Sequence, residues 1–542
     1  MRSIFFIIVT LITSSLRAQL NQEWVHIYNG SANGNDEALT HTTDASGNVY
    51  AAGKTLRTST GFDIYAVKYS PSGNLLWEKL YNGPGNGNDI AYSVKVDRSG
   101  NVFIAGESKG LNTNRDYVLI KYNSQGEEQW IKRYNGTGNS DEIPAAVVTD
   151  TAGNSIITGH SWTEGSLFDF VTIKYNSVGD TLWTRKYNGS ANGNELASDL
   201  VSDASGNIYV TGSSFGPGTI NDFILIKYNS NGDEMWTQTY NGPADGNDNF
   251  TCIALDNSSN VIITGSSVGS GTSLDFATLK YSPAGDVIWL RRYTSPTVNI
   301  EEPKAITGDA SGNIYVTGTS TGFSTSYDYL TVKYSPAGDE LWARRYNGPS
   351  SNNFDESRSV SADNSGNVLV SGLSAGTGTM DDILTIKYDE NGNELWVHRY
   401  NSPANLNDAA NNISFDNSGN IIVSGFMTSL SGGMDFGIIK FSMLTSLNAL
   451  SEGNANKYRI SQNYPNPFNP VTHLEFGISN LEFVSIKVFD VLGTEVAVLV
   501  SEKREPGNYT VEFDGSKFTS GIYYYRITAG NFTETKKMVL LK

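Results

Sequence analysis

The chain has 542 residues, 55 of them glycine, with 17% charged residues and a formal net charge of −18. This length exceeds what one hydrophobic core supports, so we expect several domains or a repeat array. The acidic balance argues against nucleic acid and anionic membrane surfaces as partners. The single cysteine, Cys252, excludes an intrachain disulfide and a cysteine-based metal site.

The first 18 residues are typical of a secretory signal peptide. Arg2 precedes the apolar run IFFIIVTLI (4–12), and the small residue Ala18 follows it. The run is too short to cross a bilayer, and no later segment reaches about 18 consecutive apolar residues. We therefore predict an exported protein without a transmembrane anchor.

A sequence repeat governs residues 20–441. Tryptophans recur in steps of 53 residues, with a last step of 54, at positions 24, 77, 130, 183, 236, 289, 342 and 396. Each repeat holds four runs rich in β-branched and aromatic residues, as in DIAYSVKV (89–96), NVFIAG (101–106), DYVLIKY (116–122) and EQWIKRYN (128–135). Short glycine-containing links join these runs, so each repeat predicts a four-stranded antiparallel sheet.

Many four-stranded repeats of this length are typical of a β-propeller, whose sheets pack as blades around an axis. The repeats begin with an isolated tryptophan strand, NQEWVHIYNG (21–30), and end at Phe441 without one. Because an open ring would leave unpaired strand edges, we predict that the N-terminal strand completes the last blade. The expected fold class is all-β, with an eight-bladed propeller over residues 20–441.

The links between the predicted blades are rich in asparagine and acidic residues, as in YNGSANGNDE (28–37). Oxygen atoms of carboxylates and carbonyls are the ligands that Ca²⁺ prefers, so calcium is the one cofactor to consider. The candidate ligands are Asp36, Asp89, Asp141 and Asp248. None lies in a spaced Asp-x-Asp-x-Asp-Gly loop, and the alternative is that these residues only form turns and cap strands.

A ligand-binding site would depart from the repeat on the rim that carries the links and the second-to-third-strand loops. Trp162 is the one tryptophan that falls outside the regular steps, and with Phe215 and Phe323 it could form an aromatic platform for a sugar ring or a peptide. In the link at 293–304, Glu301 and Glu302 replace the usual Asn-Gly pattern. The alternative is that the aromatic rings only pack back onto their own sheets.

No catalytic constellation is visible in the sequence. The five histidines, at 26, 41, 160, 398 and 473, lack metal-ligand spacing, and no nucleophile elbow or phosphate loop is present. Rim carboxylates leave a glycosidase-like pair open. We therefore expect a monomeric scaffold that binds glycan or protein. A polysaccharide-degrading enzyme and a structural or adhesion component are the alternatives.

After Phe441 the repeat ends. Residues 442–457 are small and polar and predict a linker. Residues 458–542 contain alternating runs broken at Gly493, Gly507 and Gly521, which is typical of a small immunoglobulin-like β-sandwich.

The C-terminal region resembles a known family. NYPNPFNP (463–470), LGTEV (492–496), SGIYYYRI (520–527) and KKMVLLK (536–542) resemble the type A sorting domain of type IX secretion. The resemblance implies recognition by the type IX secretion machinery and a location outside the cell or on its surface. The sorting-motif residues that it implies are Tyr464, Pro465, Pro467, Phe468, Pro470, Gly521, Tyr523, Lys536 and Lys537.

Two further resemblances bear on the fold. The C-terminal motifs are also similar to an immunoglobulin-like module of flagellar-hook capping proteins. The 53-residue units resemble the bacterial SBBP-type propeller repeat, a family that implies no particular activity.

Overall fold

The structure, a computed structural model, describes residues 20–295, 300–322, 325–350, 353–430, 432–443 and 458–541. These segments contain β-strands, turns and bends but no helix, and hence no helix able to cross a membrane. The all-β prediction is confirmed for them. The predicted signal peptide (1–18) and most of the predicted linker (442–457) lie outside the described residues. The chain divides into two compact units between Leu444 and Thr445.

The N-terminal unit consists of eight four-stranded antiparallel sheets, which are propeller-like blades and follow the sequence repeat. The first four sheets contain β2 (Glu37–Thr43), β3 (Val49–Arg57), β4 (Gly61–Tyr69) and β5 (Leu75–Tyr81); β6 (Asp89–Val96), β7 (Val102–Lys109), β8 (Arg115–Tyr122) and β9 (Glu128–Tyr134); β10 (Glu142–Thr149), β11 (Ser155–Thr163), β12 (Leu167–Tyr175) and β13 (Thr181–Tyr187); and β14 (Glu195–Ser202), β15 (Ile208–Phe215), β16 (Asn221–Tyr228) and β17 (Glu234–Tyr240).

The last four sheets complete this unit. They contain β18 (Asp248–Leu255), β19 (Val261–Val268), β20 (Leu274–Tyr281) and β21 (Val287–Tyr293); β22 (Glu301–Gly308), β23 (Ile314–Thr321), β24 (Tyr327–Tyr334) and β25 (Glu340–Tyr346); β26 (Asp355–Ala362), β27 (Val368–Ala375), β28 (Asp381–Tyr388) and β29 (Glu394–Tyr400); and β30 (Ala409–Phe415), β31 (Ile421–Thr428), β32 (Met434–Met443) and β1 (Leu20–Tyr28).

The eighth sheet takes its outer strand from the start of the chain. β1 pairs antiparallel with β32, from Leu20 opposite Met443 to Tyr28 opposite Phe436. β32 ends at Met443, two residues beyond the predicted end of the repeat at Phe441. The first strands of successive sheets contact one another, and β30 contacts β2, so the eighth sheet also packs on the first.

The middle strands of each sheet are buried because neighbouring sheets cover both of their faces. In the second sheet nearly every residue of β7 and β8 is buried, whereas the outer strand β9 has no buried residue. Such continuous apolar runs are expected for strands packed on both sides. The core of this unit therefore lies between the sheets.

The outer-strand tryptophans join each sheet to the next. Trp183 Nε1 donates a hydrogen bond of 3.2 Å to the carbonyl of Ser230 in the following sheet. Its ring covers Gly232, where an added Cβ would lie 2.7 Å from the indole. Gly232 also has a φ of 84°, so this turn needs glycine for both its conformation and the close approach.

The C-terminal unit has a second core between two sheets. One sheet contains β33 (Arg459–Ile460), β34 (Val471–Ile478) and β37 (Gly507–Asp514); the other contains β36 (Glu495–Arg504), β35 (Glu482–Phe489), β38 (Gly521–Ala529) and β39 (Phe532–Leu540). Side chains from both sheets, among them Phe476, Ile486 and Tyr525, form one buried cluster. The alternation of β38, buried at every second residue from Tyr523, follows from one face packing on this core.

Candidate ligand-binding rim

The first strand of each sheet starts at the end of the sheet where the second strand finishes. Glu37 lies opposite Lys54 in the first sheet, and Glu302 lies opposite Thr319 in the sixth. The links between sheets and the second-to-third-strand loops lie at this same end. It is therefore the rim on which the sequence predicts ligand binding.

Charged and polar side chains connect four consecutive sheets across this rim. Lys54 Nζ lies 2.9 Å from a carboxylate oxygen of Glu37. Asn411 Nδ2, from the eighth sheet, donates a hydrogen bond of 2.9 Å to the other oxygen of Glu37. Arg358 Nη1, from the seventh sheet, donates to Asn411 Oδ1 at 3.0 Å. These contacts join the seventh, eighth and first sheets.

The same network continues into the sixth sheet. The Nε and Nη2 atoms of Arg358 donate to Glu356 at 3.1 and 3.0 Å. Lys304 Nζ lies 3.7 Å from Glu356 and 3.2 Å from Glu302. We call Glu37, Lys54, Glu302, Lys304, Glu356, Arg358 and Asn411 the polar mouth. Its three cations balance its three anions, and the charged side chains are 14–35% exposed.

The repeat position of the three glutamates is apolar in the second, third and fourth sheets, whereas the position of Lys54 holds Glu107, His160 and Ser213. Ile90, Ile143 and Leu196 stand where Glu37, Glu302 and Glu356 stand elsewhere, and all three are partly exposed. Tyr92 occupies the position of Lys304 and Arg358. Burial, together with the neighbouring carboxylate of Glu107, raises the pKa of Tyr92 and keeps its hydroxyl neutral. We call Ile90, Tyr92, Ile143 and Leu196 the apolar mouth.

Two of the predicted binding aromatics occupy equivalent positions in adjacent sheets. Trp162 lies at the end of β11 and Phe215 at the end of β15, each where the second strand reaches the rim. Trp162 is partly exposed and its backbone N–H donates to the carbonyl of Asp141 at 3.0 Å. Phe215 is 39% exposed and packs over Gly193 in the preceding link. Phe323 lies outside the described residues.

The structure separates the two predicted glutamates. Glu302 belongs to the polar mouth. Glu301 is fully buried and its carboxylate accepts a hydrogen bond of 3.1 Å from Ser320 Oγ. Glu301 is the repeat equivalent of Asp248 and Asp355, which sequence comparison between the copies could have recognised. Burial leaves Glu301 no access to a ligand on the rim.

The residues predicted as calcium ligands have hydrogen-bond partners. Both carboxylate oxygens of Asp36 accept backbone N–H groups, from Gly30 at 2.6 Å and Leu56 at 2.8 Å. Asp89 makes the same pair of contacts in the second sheet, and Asp248 accepts the N–H of Gly242 in the fifth. These three residues belong to a fully buried acid that recurs in every sheet and fastens the preceding link.

Asp141 differs from the other three candidates. It lies nearer the surface, where the Arg115 guanidinium at 2.7 Å lowers the pKa of its carboxyl. Within the described ranges no three histidine, cysteine, aspartate or glutamate side chains come together as a metal cluster. Calcium at the four named residues therefore stays a prediction.

The C-terminal motif residues have structural contacts in the second unit. Phe468 is buried and exchanges backbone hydrogen bonds with Val539 and Leu541 next to the last strand. The carbonyl of Pro465 accepts a hydrogen bond of 2.8 Å from Thr472 Oγ1, and that of Pro470 accepts the N–H of Gly515.

Of the other motif residues, four lie on the two last strands, and Tyr464 and Pro467 are exposed in the segment before β34. Gly521 begins β38, and Tyr523, buried within it, donates to the carbonyl of Thr519 at 2.8 Å. Lys536 pairs with Glu534 at 3.2 Å on β39, which also carries Lys537. Tyr464 is 67% exposed and is thus the aromatic residue of the motif most accessible to a partner.

Comparison with known proteins identifies this C-terminal unit. Residues 462–541 match the family described as the secretion system C-terminal sorting domain. The chain is thus exported by type IX secretion to the outside of the cell or to its surface, as predicted. The family covers only this part of the chain.

Similarities over longer parts of the chain are more distant. An uncharacterised WD repeat-containing protein, L264, of Acanthamoeba polyphaga mimivirus is 23% identical over 469 positions, which cover 67% of this chain and 26% of that protein. The chain therefore spans about a quarter of that relative.

Among solved structures, PorZ of Porphyromonas gingivalis, a surface component of the type IX secretion system, is 13% identical with a TM-score of 0.39, covering 92% of this chain and 68% of that one. A fungal alcohol oxidase of the AA5 family is 10% identical with a TM-score of 0.40, covering 97% and 100%.

Proposed function

We propose that the protein is an exported scaffold that binds glycan through the rim formed by the polar and apolar mouths. In this proposal the eight sheets are the blades of one closed propeller, completed by β1, and the C-terminal unit is an immunoglobulin-like sandwich. The pairing of β1 with β32 and the contact of β30 with β2 support closure. The period and the four-strand pattern support an SBBP-type repeat.

The observation that carries the proposal is the division of the mouth into two chemically different halves. Four consecutive sheets present carboxylates, ammonium and guanidinium groups and an amide, while the second to fourth sheets place aliphatic side chains at the position of the three glutamates, beside Tyr92 and the polar residues Glu107, His160 and Ser213. Binding sites for small molecules typically combine an apolar lining with a few placed polar groups. The rim has that composition.

A sugar matches both halves. Its hydroxyl groups donate and accept hydrogen bonds, which the carboxylates and the cations of the polar mouth can reciprocate. Its C–H faces pack on aliphatic and aromatic surfaces such as Ile143, Leu196 and the exposed ring of Phe215. Because the polar mouth has no net charge, a neutral or weakly charged glycan suits it better than a polyanion, which the acidic chain also repels.

The two alternative functions remain outcomes of the test. Each carboxylate of the polar mouth contacts a lysine or an arginine. A polysaccharide-degrading enzyme would release reducing ends, and an adhesion component without a pocket would show no dependence on single mouth residues.

The experiment applies the secreted chain to an array of bacterial and plant polysaccharides and scores bound protein and released reducing ends in the same wells. We expect retention on at least one neutral glycan without product. Arg358→Gln should abolish retention, while Arg504→Gln, in the C-terminal unit, should not change it. New reducing ends would replace the proposal with the enzyme, and silence in both channels would reject glycan as the ligand.

A further inference from the structure

A cavity lies between the second and third sheets at the end opposite the rim. The turns that join the first two strands of each sheet lie at this end, because the first strands begin at the rim. The cavity has a volume of about 190 Å³, and Asp97, Lys121 and Asp150 are among the residues that line it. It contains no residue of either mouth, so the proposed function does not use it.

A departure from the repeat explains the space beside Asp97. In the first, fourth and sixth sheets the second residue of the second strand is a tyrosine, whose hydroxyl donates to the aspartate that opens the turn. The pairs are Tyr50 with Asp44 at 2.9 Å, Tyr209 with Asp203 at 3.3 Å and Tyr315 with Asp309 at 2.9 Å. Phe103 holds this position in the second sheet and has no hydroxyl group. The place of that hydroxyl is therefore open.

Lys121 is one of eight equivalent buried lysines on the third strands, and the other seven have a different setting. In the third, fifth and eighth sheets the lysine pairs with the turn aspartate at 2.8–2.9 Å, and in the seventh Lys387 lies 3.2 Å from the sulfur of Met443. In the first, fourth and sixth sheets the ammonium group lies over the ring of the tyrosine that binds the aspartate, at 4.9–5.1 Å.

The ammonium group of Lys121 has neither of these arrangements. It lies 5.1 Å from the ring of Phe103 and donates one hydrogen bond of 2.8 Å, to the carbonyl of Ser177. Within the described part of the chain it forms no ion pair. Since an ammonium group has three N–H donors, Lys121 retains donors for a ligand in the cavity that it lines.

Arg98 is a second cation at the cavity. It is the second residue of the turn, a position that is uncharged in the other seven sheets, which have Ala45, Thr151, Ala204, Asn257, Ala310, Asn364 and Asn417. Its side chain is exposed and makes no hydrogen bond or ion pair with the residues that the structure describes. The guanidinium is thus available to a ligand as well.

The two acids at the cavity are already engaged. Asp97 Oδ1 accepts the backbone N–H groups of Ser99 and Asn101, and Oδ2 accepts the side-chain amide of Asn101 at 2.7 Å. Asp150 pairs with Lys174 at 2.9 Å. With Lys121 and Arg98 included, the three cations exceed the two anions, so the groups left for a ligand are donors with a positive charge.

We propose that Lys121 and Arg98 bind a phosphate group in this cavity, as the free ion or as the ester group of a sugar phosphate. Lysine binds phosphate as a point charge, and the arginine fork donates two parallel hydrogen bonds to its oxygens. The buried ammonium contacts the phosphate from the protein side and the exposed guanidinium from the solvent side. Burial lowers the pKa of Lys121, and a bound anion favours its charged form.

The test is calorimetric titration of the full secreted chain with sodium phosphate, glucose 6-phosphate and glucose at one ionic strength. We expect one saturable binding event with phosphate or with glucose 6-phosphate. Tighter binding of inorganic phosphate would assign the site to the free ion, and tighter binding of glucose 6-phosphate would assign it to the ester. No saturable binding of either compound would overturn the proposal.

Two variants locate the binding. Arg98→Gln, at an exposed side chain, should weaken phosphate binding about tenfold or more, since hydrogen bonds to charged groups are lost. Arg504→Gln, in the C-terminal unit, is the control and should not change the affinity. Unchanged affinity in Arg98→Gln would overturn the proposal. Binding of glucose that is the same in both variants would instead report the rim, so a failure of the proposed function is distinguishable from a failure here.

A second pair of variants tests the missing hydroxyl. Phe103→Tyr supplies the group that three other sheets place beside the turn aspartate, so it should narrow the cavity and weaken phosphate binding about tenfold or more. Phe103→Leu, which gives the side chain of Leu369 in the seventh sheet, adds no hydroxyl and should keep the binding. Thermal unfolding of each variant checks that the fold is kept. Equal affinities of the tyrosine and leucine variants would contradict the assigned cavity.

Discussion

Apart from Lys54, the residues of the polar and apolar mouths occupy the same two positions on the first strands of their sheets, yet their side chains differ. Glu302 and Glu356 lie at strand positions that Ile143 and Leu196 occupy in other sheets, and the buried acid that precedes each of them is present in all cases. The positions that hold the sheets together therefore repeat, and those at the mouth vary. Variation on an invariant framework is where a repeat protein can place a specific site.

The polar mouth and the tryptophans between the sheets differ in how much they contribute to the free energy of unfolding. Partly exposed ion pairs such as Lys304 with Glu302 contribute about 0–1 kcal/mol to stability. Five of the eight tryptophans between the sheets are buried, the other three are partly exposed, and truncating a buried one costs about 3–5 kcal/mol. The polar mouth is thus of little importance to folding, and its charges are available for a ligand.

The largest expected effect on stability concerns the packing of a tryptophan on the glycine turn of the next sheet. Gly232→Ala should lower the free energy of unfolding by about 3 kcal/mol, because the new Cβ meets Trp183 and the residue has a left-handed φ. Gly378→Ala is the matched control: its φ is 80° and nothing lies within 4 Å of the new Cβ. It should cost about 1 kcal/mol. Equal losses in chemical denaturation would contradict the packing role of the tryptophans.

The next effect concerns the seam between the eighth and first sheets, within the polar half. His41 is buried, with its ring nitrogens 2.7 Å from Ser424 Oγ and 2.8 Å from Ser414 Oγ. Burial, and secondarily the positive charge of Lys95, lower the pKa of His41 to about 3. The folded state holds His41 neutral, while the unfolded chain binds a proton below about pH 6.5. Stability is therefore lost as pH falls from about 6.5 towards 3.

Because of this proton linkage, His41 should lower the free energy of unfolding by about 2–3 kcal/mol between pH 7 and pH 4.5. The measurement compares urea unfolding of the unaltered chain and of His41→Gln at both pH values, so that other titrating groups cancel. Glutamine keeps a hydrogen-bonding side chain and does not titrate. We expect a smaller pH dependence in the variant by that amount. Identical pH dependence in both proteins would show that His41 is not held neutral.

A smaller effect is expected at the centre of the polar mouth. Arg358→Gln removes the guanidinium that joins Glu356 to Asn411 and should weaken glycan binding about tenfold or more, since hydrogen bonds to charged groups are worth about 1.5–3 kcal/mol. Unfolding should change by less than about 1 kcal/mol. Isothermal titration with the glycan identified on the array measures the affinity. Chemical denaturation measures the free energy of unfolding. A large stability loss with unchanged affinity would assign Arg358 to the framework.

The smallest expected effect is on glycan affinity and concerns the aromatic ring of Trp162 on the rim. Trp162→Ala should weaken glycan binding about threefold to tenfold, by loss of aromatic contact area. Leu56→Ala, at the same repeat position in the first sheet, is the control and should leave affinity unchanged. Tryptophan fluorescence should also respond to the glycan in the unaltered chain and not in Trp162→Ala. Equal affinities of both variants would exclude the rim aromatics from the site.

Much of the fold could be predicted because its determinants repeat. Eight tryptophans at a regular spacing and glycine at the turns indicate the four-stranded sheets, and the displaced first strand indicates its pairing with the last sheet. The C-terminal motifs indicate the sorting domain because they match residues of a known family.

The site could be predicted only in part, since a departure from a repeat is visible only after the copies are aligned. Glu301 departs from the Asn-Gly pattern of the other links, but it is the repeated buried acid, with glutamate in place of the aspartate of Asp248 and Asp355. Trp162 and Phe215 are 53 residues apart, which was the available signal that they share one position. The contacts of Arg358 with Glu356 and Asn411 come from packing between sheets and have no signature along the chain.

The most direct measurement of the central claim is polysaccharide-array binding by the secreted chain, with Arg358→Gln and Arg504→Gln beside it. We expect retention on a neutral glycan, lost in Arg358→Gln, kept in Arg504→Gln and unaccompanied by reducing ends. Equal retention of all three proteins would contradict binding at the polar mouth.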